Sequence, residues 1–265
     1  MKVSVCGKGG SGKSTLVALL AGEFLGRGAR VLVVDSDESN TGLYRTLGLD
    51  GPPTPLMELA GGRKNYRRGL SEGGGTILAK EVIDSEGIPP EHVSRRDGLR
   101  MVAVGKIHQA LEGCACPIGA LSREFLKRLS LAEGEIAIVD TEAGVEHFGR
   151  GVETSIDMVI AVVEPSLESV VLAGKVKELA AASGARFAGA VLNKVASEDT
   201  TRALRAALED RGVETLAVVR SHPELVEAAL AGGPLPSGVA SEEVAAVADA
   251  IAGAGIRTGT PGNSN

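Results

Sequence analysis

Gly7-Lys8-Gly9-Gly10-Ser11-Gly12-Lys13-Ser14-Thr15 is the stretch that decides the fold. It follows the apolar run Val3-Ser4-Val5-Cys6 and precedes a helical pattern beginning at Leu16. Strand, glycine loop and helix are the setting in which a phosphate-binding loop works. Glycines let the backbone wrap an anion closely, and the N–H groups of loop and helix start point into one hollow. The spacing Gly7-x4-Gly12-Lys13-Ser14 meets the whole pattern. Gly9, Gly10, Ser11 and Gly12 are then the cradle, and Lys13 reaches the β- and γ-phosphates of ATP or ADP. The Ser14 hydroxyl holds Mg²⁺, and Thr15 lies near the α-phosphate.

Working outward, Leu16 to Leu25 has helical spacing and ends at Gly26 and Gly28. Arg30 to Val34 is a short apolar run, read as a buried parallel strand, and it ends in Asp35-Ser36-Asp37. Open α/β sheets bind ligands at the carboxyl ends of their strands, so Asp35 and Asp37 would face the phosphates, with Asp35 helping to hold the metal's water shell. Ile136 to Asp140 repeats the pattern, and Asp140 would hold Mg²⁺ through water. Gly144, shortly after it, can offer its N–H to the γ-phosphate and so sense ATP against ADP. Further strands are expected at Leu99–Val104, Asp157–Val163, Phe187–Leu192 and Glu214–Val219. Helices are expected after Pro117, over Leu167–Ala182 with Ser166 as cap, and after Ser241. The fold class is thus α/β, a three-layer arrangement with a mostly parallel sheet and helices on both faces. One domain spans 1–256, and 257–265 is expected to be a disordered tail.

Composition agrees. The chain has 265 residues, 43% apolar but 2% aromatic, so the core is built from Ala, Val and Leu, as suits a parallel sheet under helices. A net charge of −6 does not imply a broad basic face for nucleic acid. The basic cluster Arg63-Lys64, Arg67-Arg68 reads as a solvated face. No apolar run is long enough to span a bilayer, and Met1-Lys2-Val3-Ser4 already reads as strand, so no signal peptide and no membrane association are expected. Residues 50–95 carry the breakers Gly51-Pro52-Pro53, Gly61-Gly62 and Gly73-Gly74-Gly75, and read as an excursion with one or two short helices.

Three cysteines are too few for a disulfide framework, and a nucleotide site points to a cytoplasmic protein. Cys6 reads as a buried packing residue. Cys114 and Cys116, in a loop just before a helix, form half of a soft-metal site; a closed tetrahedral site needs four ligands, which a symmetric homodimer would supply. Of the four histidines, His92, His108, His147 and His222, each lone ring is expected to be exposed or structurally hydrogen-bonded, with His108 the one nearest the cysteines.

Lys8, five residues before Lys13, has no fixed place in an ordinary phosphate loop. With it, Lys8-Gly9-Gly10-Ser11-Gly12-Lys13-Ser14 resembles the deviant loop of the MinD/ParA and nitrogenase-iron-protein class. Together with Cys114-x-Cys116 and the run Asp140 to His147, the chain resembles the CooC-type accessory ATPases of nickel carbon monoxide dehydrogenase. The resemblance implies an ATPase that dimerises, binds nickel or zinc (Ni²⁺ or Zn²⁺) through its paired cysteines and supports metal insertion into a client enzyme. It implies that Lys8 crosses the interface to the partner's nucleotide, that Asp37 orients the attacking water, and that Asn193 reads the adenine edge. Two other readings remain open. One is an iron–sulfur redox protein like the nitrogenase iron protein, although its cysteines are well separated. The other is a positioning ATPase of MinD/ParA type, although the last helix here is acidic and alanine-rich.

Overall fold

The computed structural model describes residues 1–63, 65, 66, 68, 80–106 and 116–255, the side chains of 254 and 255 aside. Strand β1 (Lys2–Gly7) leads through the glycine loop into helix α1 (Lys13–Gly26) and strand β2 (Arg30–Asp35). Short helices α2 (Leu43–Thr46) and α3 (Leu56–Leu59), strand β3 (Ile83–Asp84) and strand β4 (Ser94–Arg96) precede β5 (Leu99–Ala103). Helix α4 (Cys116–Arg128), strands β6 (Leu129–Ser130) and β7 (Glu135–Asp140) and helix α5 (Glu146–Gly149) follow. The last third alternates β8 (Met158–Val163), α6 (Leu167–Ser183), β9 (Arg186–Val195), α7 (Glu198–Glu209), β10 (Thr215–Arg220), α8 (Pro223–Ala231) and α9 (Ser241–Gly255).

Eight strands form one sheet in the order β10-β9-β8-β1-β7-β2-β5-β4. All neighbours are parallel except β4, which pairs antiparallel with β5. The strands are apolar on both faces because both faces are covered. Val31 and Val33 point to the layer of α1 and α9, while Leu32 and Val34 point to the layer of α4, α6 and α7. The same alternation divides Ile136 and Ile138 from Ala137 and Val139 on β7. Each fully buried Leu, Ile or Val contributes about 1.5–3 kcal/mol, so aliphatic side chains alone can supply the driving force.

The expected α/β architecture is therefore present. Some details differ. The excursion at 50–95 contains an edge strand, β4, turned onto β5 by Asp97 (φ 46°) and Gly98 (φ 84°). Leu129, expected on helix α4, begins β6. Ser241 is the first residue of α9 instead of its cap, and Ala240 before it adopts φ 57°. The tail after 256 and Lys64 and Arg67 of the basic cluster lie outside the described residues; Arg63 donates to the Lys106 carbonyl at 2.8 Å, and Arg68 is exposed.

Gly189 shows how tightly the sheet is drawn. It has φ 144°, next to a register shift between β8 and β9, and a Cβ there would lie 2.7 Å from the Glu214 carbonyl. Gly189→Ala is expected to destabilise the chain by about 1–3 kcal/mol and lower Tm by roughly 3–10 °C. Gly253→Ala, in helix α9 with open space around the new Cβ, should leave Tm unchanged or higher. Equal melting curves for the two variants would refute the strained approach at Gly189.

Candidate functional site

The site lies at the carboxyl edge of the sheet, where β1 and β7 end side by side. Gly10 (φ 80°) and Gly12 (φ 94°) take left-handed backbone, which a glycine adopts at no steric cost. At Gly12 there is also no room: Asn193 Nδ2 lies 2.2 Å from where a Cβ would stand. Helix α1 begins at Lys13, so its free N–H groups open onto the loop. The Lys13 ammonium is nearly buried and donates to the Lys8 carbonyl at 3.4 Å.

Below the loop, three residues from three segments converge. Ser14 Oγ donates to Asp140 Oδ2 at 2.6 Å, and Asn40 Nδ2 donates to Ser14 Oγ at 2.9 Å. The second Asp140 oxygen is buried with no hydrogen-bond partner among the described residues. Burial pushes the Asp140 carboxyl up to about 6, against the pull of the Ser14 hydroxyl. A hydroxyl and a half-satisfied carboxylate at the foot of a phosphate cradle are hard oxygen donors, and they fit Mg²⁺.

Asp37 lies on the wall of the cleft, its Oδ1 accepting from Ser39 Oγ at 2.6 Å and from the Ser39 N–H at 2.9 Å. Asp35 is placed differently from the expectation that it faces the metal's water. It is buried, and Lys106 Nζ holds its Oδ2 at 2.7 Å while also donating to the Asp37 carbonyl at 2.5 Å. Burial raises the Asp35 carboxyl to about 7, with Lys106 pulling it back down. The Gly144 N–H is likewise engaged, donating to the Gly7 carbonyl at 3.1 Å. To sense a γ-phosphate it must first release that bond.

A cleft of about 690 Å³ continues from the loop toward Asn193, Lys194, Arg220 and His222. Gly9, Gly10, Gly12, Lys13, Ser14 and Thr15 line it, so the structure brings the loop residues, Asp37 and Asn193 together. Ser11, Asp35 and Asp140 support it from beneath. The Asn193 amide donates to the Ser11 carbonyl at 2.8 Å, which ties the base end of the cleft to the phosphate loop. Lys8 Nζ, partly exposed at the rim, lies 3.4 Å from Glu164 Oε1. Lys194 also approaches Glu164, at 3.9 Å, and donates to the Gly10 carbonyl.

Cys116 opens helix α4, is exposed and is disulfide-bonded, so it must be reduced before it can ligate a metal; Cys114 and His108 lie outside the described residues. Helix α4 touches the nucleotide side directly, with Ser122 Oγ 2.5 Å from Ser36 Oγ. Sequence reasoning missed Asn40, Lys106, Glu164 and Lys194. Asn40 carried a faint signal, standing three residues after Asp37 in a turn-forming run. His147 takes the second of the two expected forms: the ring is buried and bonded, 3.2 Å from Cys6 Sγ and 3.1 Å from Glu153 Oε1, and sequence reasoning did not foresee these partners. Burial drives the Cys6 thiol up to about 12, the Glu153 carboxyl up to about 8 and His147 down to about 3.

A parallel sheet with a glycine cradle, a lysine and a paired Ser–Asp at its carboxyl edge defines a P-loop nucleotide-binding protein. Residues 3–235 match the model of the CobQ/CobB/MinD/ParA nucleotide-binding domain, and the chain belongs to that family of ATPases. An uncharacterized ATP-binding protein of Methanocaldococcus jannaschii is 43% identical over 238 residues, covering 89% of this chain and 94% of its own. The carbon monoxide dehydrogenase accessory protein CooC of Rhodospirillum rubrum is 34% identical over 203 residues, 74% of this chain and 75% of its own. Among solved structures, the cell division ATPase MinD of Pyrococcus furiosus superposes with TM-score 0.68 at 23% identity, covering 95% of this chain and 98% of that one. The septum site-determining protein MinD of Pyrococcus horikoshii, in complex with Mg-ADP, gives 0.68 at 18% identity, covering 94% and 95%. These two likenesses carry the fold.

Two substitutions separate the cradle from the metal foot. Lys13→Ala should weaken ATP binding by about 100-fold or more, the loss of a charge-assisted contact to phosphate. Asn40→Ala should weaken MgATP binding by about tenfold and leave metal-free ATP binding nearly unchanged. Calorimetric titration with and without EDTA reads both, and an equal Asn40→Ala effect in the two conditions would remove Asn40 from the Mg²⁺ foot.

Proposed function

We propose that the chain is a cytoplasmic ATP-hydrolysing metallochaperone that works as a homodimer. Cys114 and Cys116 of each copy jointly hold Ni²⁺ or Zn²⁺ as cargo, for insertion into a carbon monoxide dehydrogenase-like client. ATP with Mg²⁺ closes the two copies face to face. Lys8 of each then leaves Glu164 for the partner's phosphates, and Asp37 positions the attacking water. Asn193 reads the adenine, and Lys13, Ser14 and Asp140 hold the triphosphate and its Mg²⁺.

The observation that carries this reading is the short path from nucleotide to cysteine. Lys106, which precedes Cys114 in the chain, is clamped on the Asp35 carboxylate and the Asp37 carbonyl. Helix α4, which Cys116 opens, is bonded back through Ser122 to Ser36 between those two acids. A change at the γ-phosphate that moves this turn would therefore be felt at Lys106 and at the helix that carries Cys116. The 34% identity to an accessory protein of carbon monoxide dehydrogenase supports the client class. Helix α9 turns Val244, Val247 and Ile251 into the core, which argues against a lipid-binding terminal helix of the positioning ATPases. No described helix is long and apolar enough to cross a membrane.

The test is ATP-dependent Ni²⁺ uptake by equilibrium dialysis alongside light scattering. With a reductant that opens the Cys116 disulfide, ATP plus Ni²⁺ should give a dimer with about one additional Ni²⁺ per two chains, since four thiolates close one site. The Cys114→Ala/Cys116→Ala double variant should lose that ATP-dependent increment; an unchanged increment overturns the reading. Lys8→Ala should bind ATP within about twofold of the parent yet lose about 10²–10³ in turnover, the scale of one lost transition-state donor. Equal defects in binding and turnover would place Lys8 in its own site instead of the partner's.

A further inference from the structure

A second set of metal-ligating side chains lies beneath the phosphate loop. Cys6 on β1, His147 on α5 and Glu153 in the 3₁₀ turn at Val152–Ser155 bring one sulfur, one nitrogen and the carboxylate oxygens within 4.8 Å of one another. All three are buried, and Glu153 is 0% exposed. Glu153 Oε2 has no partner among the described residues, and Oε1 makes no hydrogen bond although it stands 3.1 Å from His147 Nε2. A buried carboxylate left so is costly unless something positive meets it. No salt bridge from a described lysine or arginine reaches Glu153, and Ser4 Oγ lies 3.4 Å from Cys6 Sγ.

We infer that Cys6, His147 and Glu153 form a buried structural site for one borderline divalent cation of the zinc class. The donor set decides the class. A thiolate, an imidazole and a carboxylate together suit zinc, whereas Mg²⁺ prefers oxygen alone. The geometry is close to what is needed. Tetrahedral zinc holds its ligand atoms roughly 3.3–3.8 Å apart. The Cys6–His147 and His147–Glu153 pairs already stand at 3.2 and 3.1 Å. The three ligand atoms together lie within 4.8 Å of one another, so Cys6 and Glu153 draw in on the ion, and a water takes the fourth position. Binding displaces the thiol proton and the carboxyl proton to solvent, which leaves thiolate and carboxylate against the dication.

The position suggests a use. Cys6 is the residue before Gly7, at the mouth of the phosphate loop, and His147 follows the segment that runs on from Asp140 through Gly144. A cation there staples the strand feeding the loop to the segment that answers to the γ-phosphate. This site does not depend on the Cys114–Cys116 pair or on the metallochaperone reading, and it can stand or fall alone.

The experiment starts from the full-length Cys114→Ala/Cys116→Ala double variant, produced with zinc in the medium and dialysed against EDTA. Elemental analysis should find about one zinc per chain retained, because a site enclosed in the core exchanges slowly. Refolding the same protein with Co²⁺ should give tetrahedral d–d bands and one thiolate-to-cobalt charge-transfer band. Adding Cys6→Ser should remove the charge-transfer band. Glu153→Gln, a neutral isostere whose fold circular dichroism can verify, should lose the bound metal. A folded double variant that purifies without zinc and takes up no Co²⁺ overturns the site and makes the cluster a shared-proton network. Zinc retained at full occupancy in folded Glu153→Gln overturns it equally.

Discussion

Two acids standing opposite each other govern this structure. The register between β2 and β7 sets Asp35 against Asp140 in neighbouring strands, both buried. Burial in a poorly solvated layer raises the proton affinity of both, and the neighbouring Asp140 charge adds to the rise at Asp35. The chain answers with two different partners. Lys106 closes on Asp35, and Ser14 and Asn40 close on Asp140, leaving one Asp140 oxygen for a cation. The asymmetry gives the two carboxylates different tasks on one edge of the sheet. One is neutralised internally and becomes part of the frame. The other stays open to Mg²⁺ and so reports on the nucleotide.

Lys106 makes that frame mechanical. It spans the Asp35 carboxylate and the Asp37 carbonyl, so it reads the position of the segment between them. Ser36 in the same segment bonds to Ser122 on α4. On the proposed function, a shift of that segment toward a γ-phosphate would pull on α4 and on Lys106 together. Coupling between two ligand sites is a differential free energy, typically about 1–3 kcal/mol, and a few such contacts are enough to carry it. The Gly144–Gly7 bond would work in the opposite sense, since it holds the segment after β7 to the loop.

What the sequence revealed follows from what is local. The glycine loop is contiguous, and the apolar runs are contiguous, so loop, strands and helices were legible from spacing alone. Asp140 was legible because a carboxylate at the end of an apolar run has few other purposes beside a phosphate loop. Lys106 was not, since it is separated from Asp35 by 71 residues and sits in no motif. Asn40 was hidden among turn formers, and the β4 hairpin was hidden although Asp97-Gly98 is the dipeptide that such turns require. The partners of His147 were not legible, because its ring meets Cys6 and Glu153 only through tertiary packing, 141 residues from Cys6 along the chain.

The same distinction separates the two sets of sulfur in this chain. A site that delivers a metal has to give it up, so its ligands belong where a partner can reach them, as Cys116 is at the open start of a helix. A site made of fully enclosed ligands on three segments has no path for a client and no reason to exchange. Cys6 is such a ligand, with its strand covered on both faces and the loop above it. Metal held at such a site would not be cargo but part of the foundation on which the phosphate loop stands. Under the two proposals, burial would separate the structural cysteine of the strand from Cys116, which is exposed.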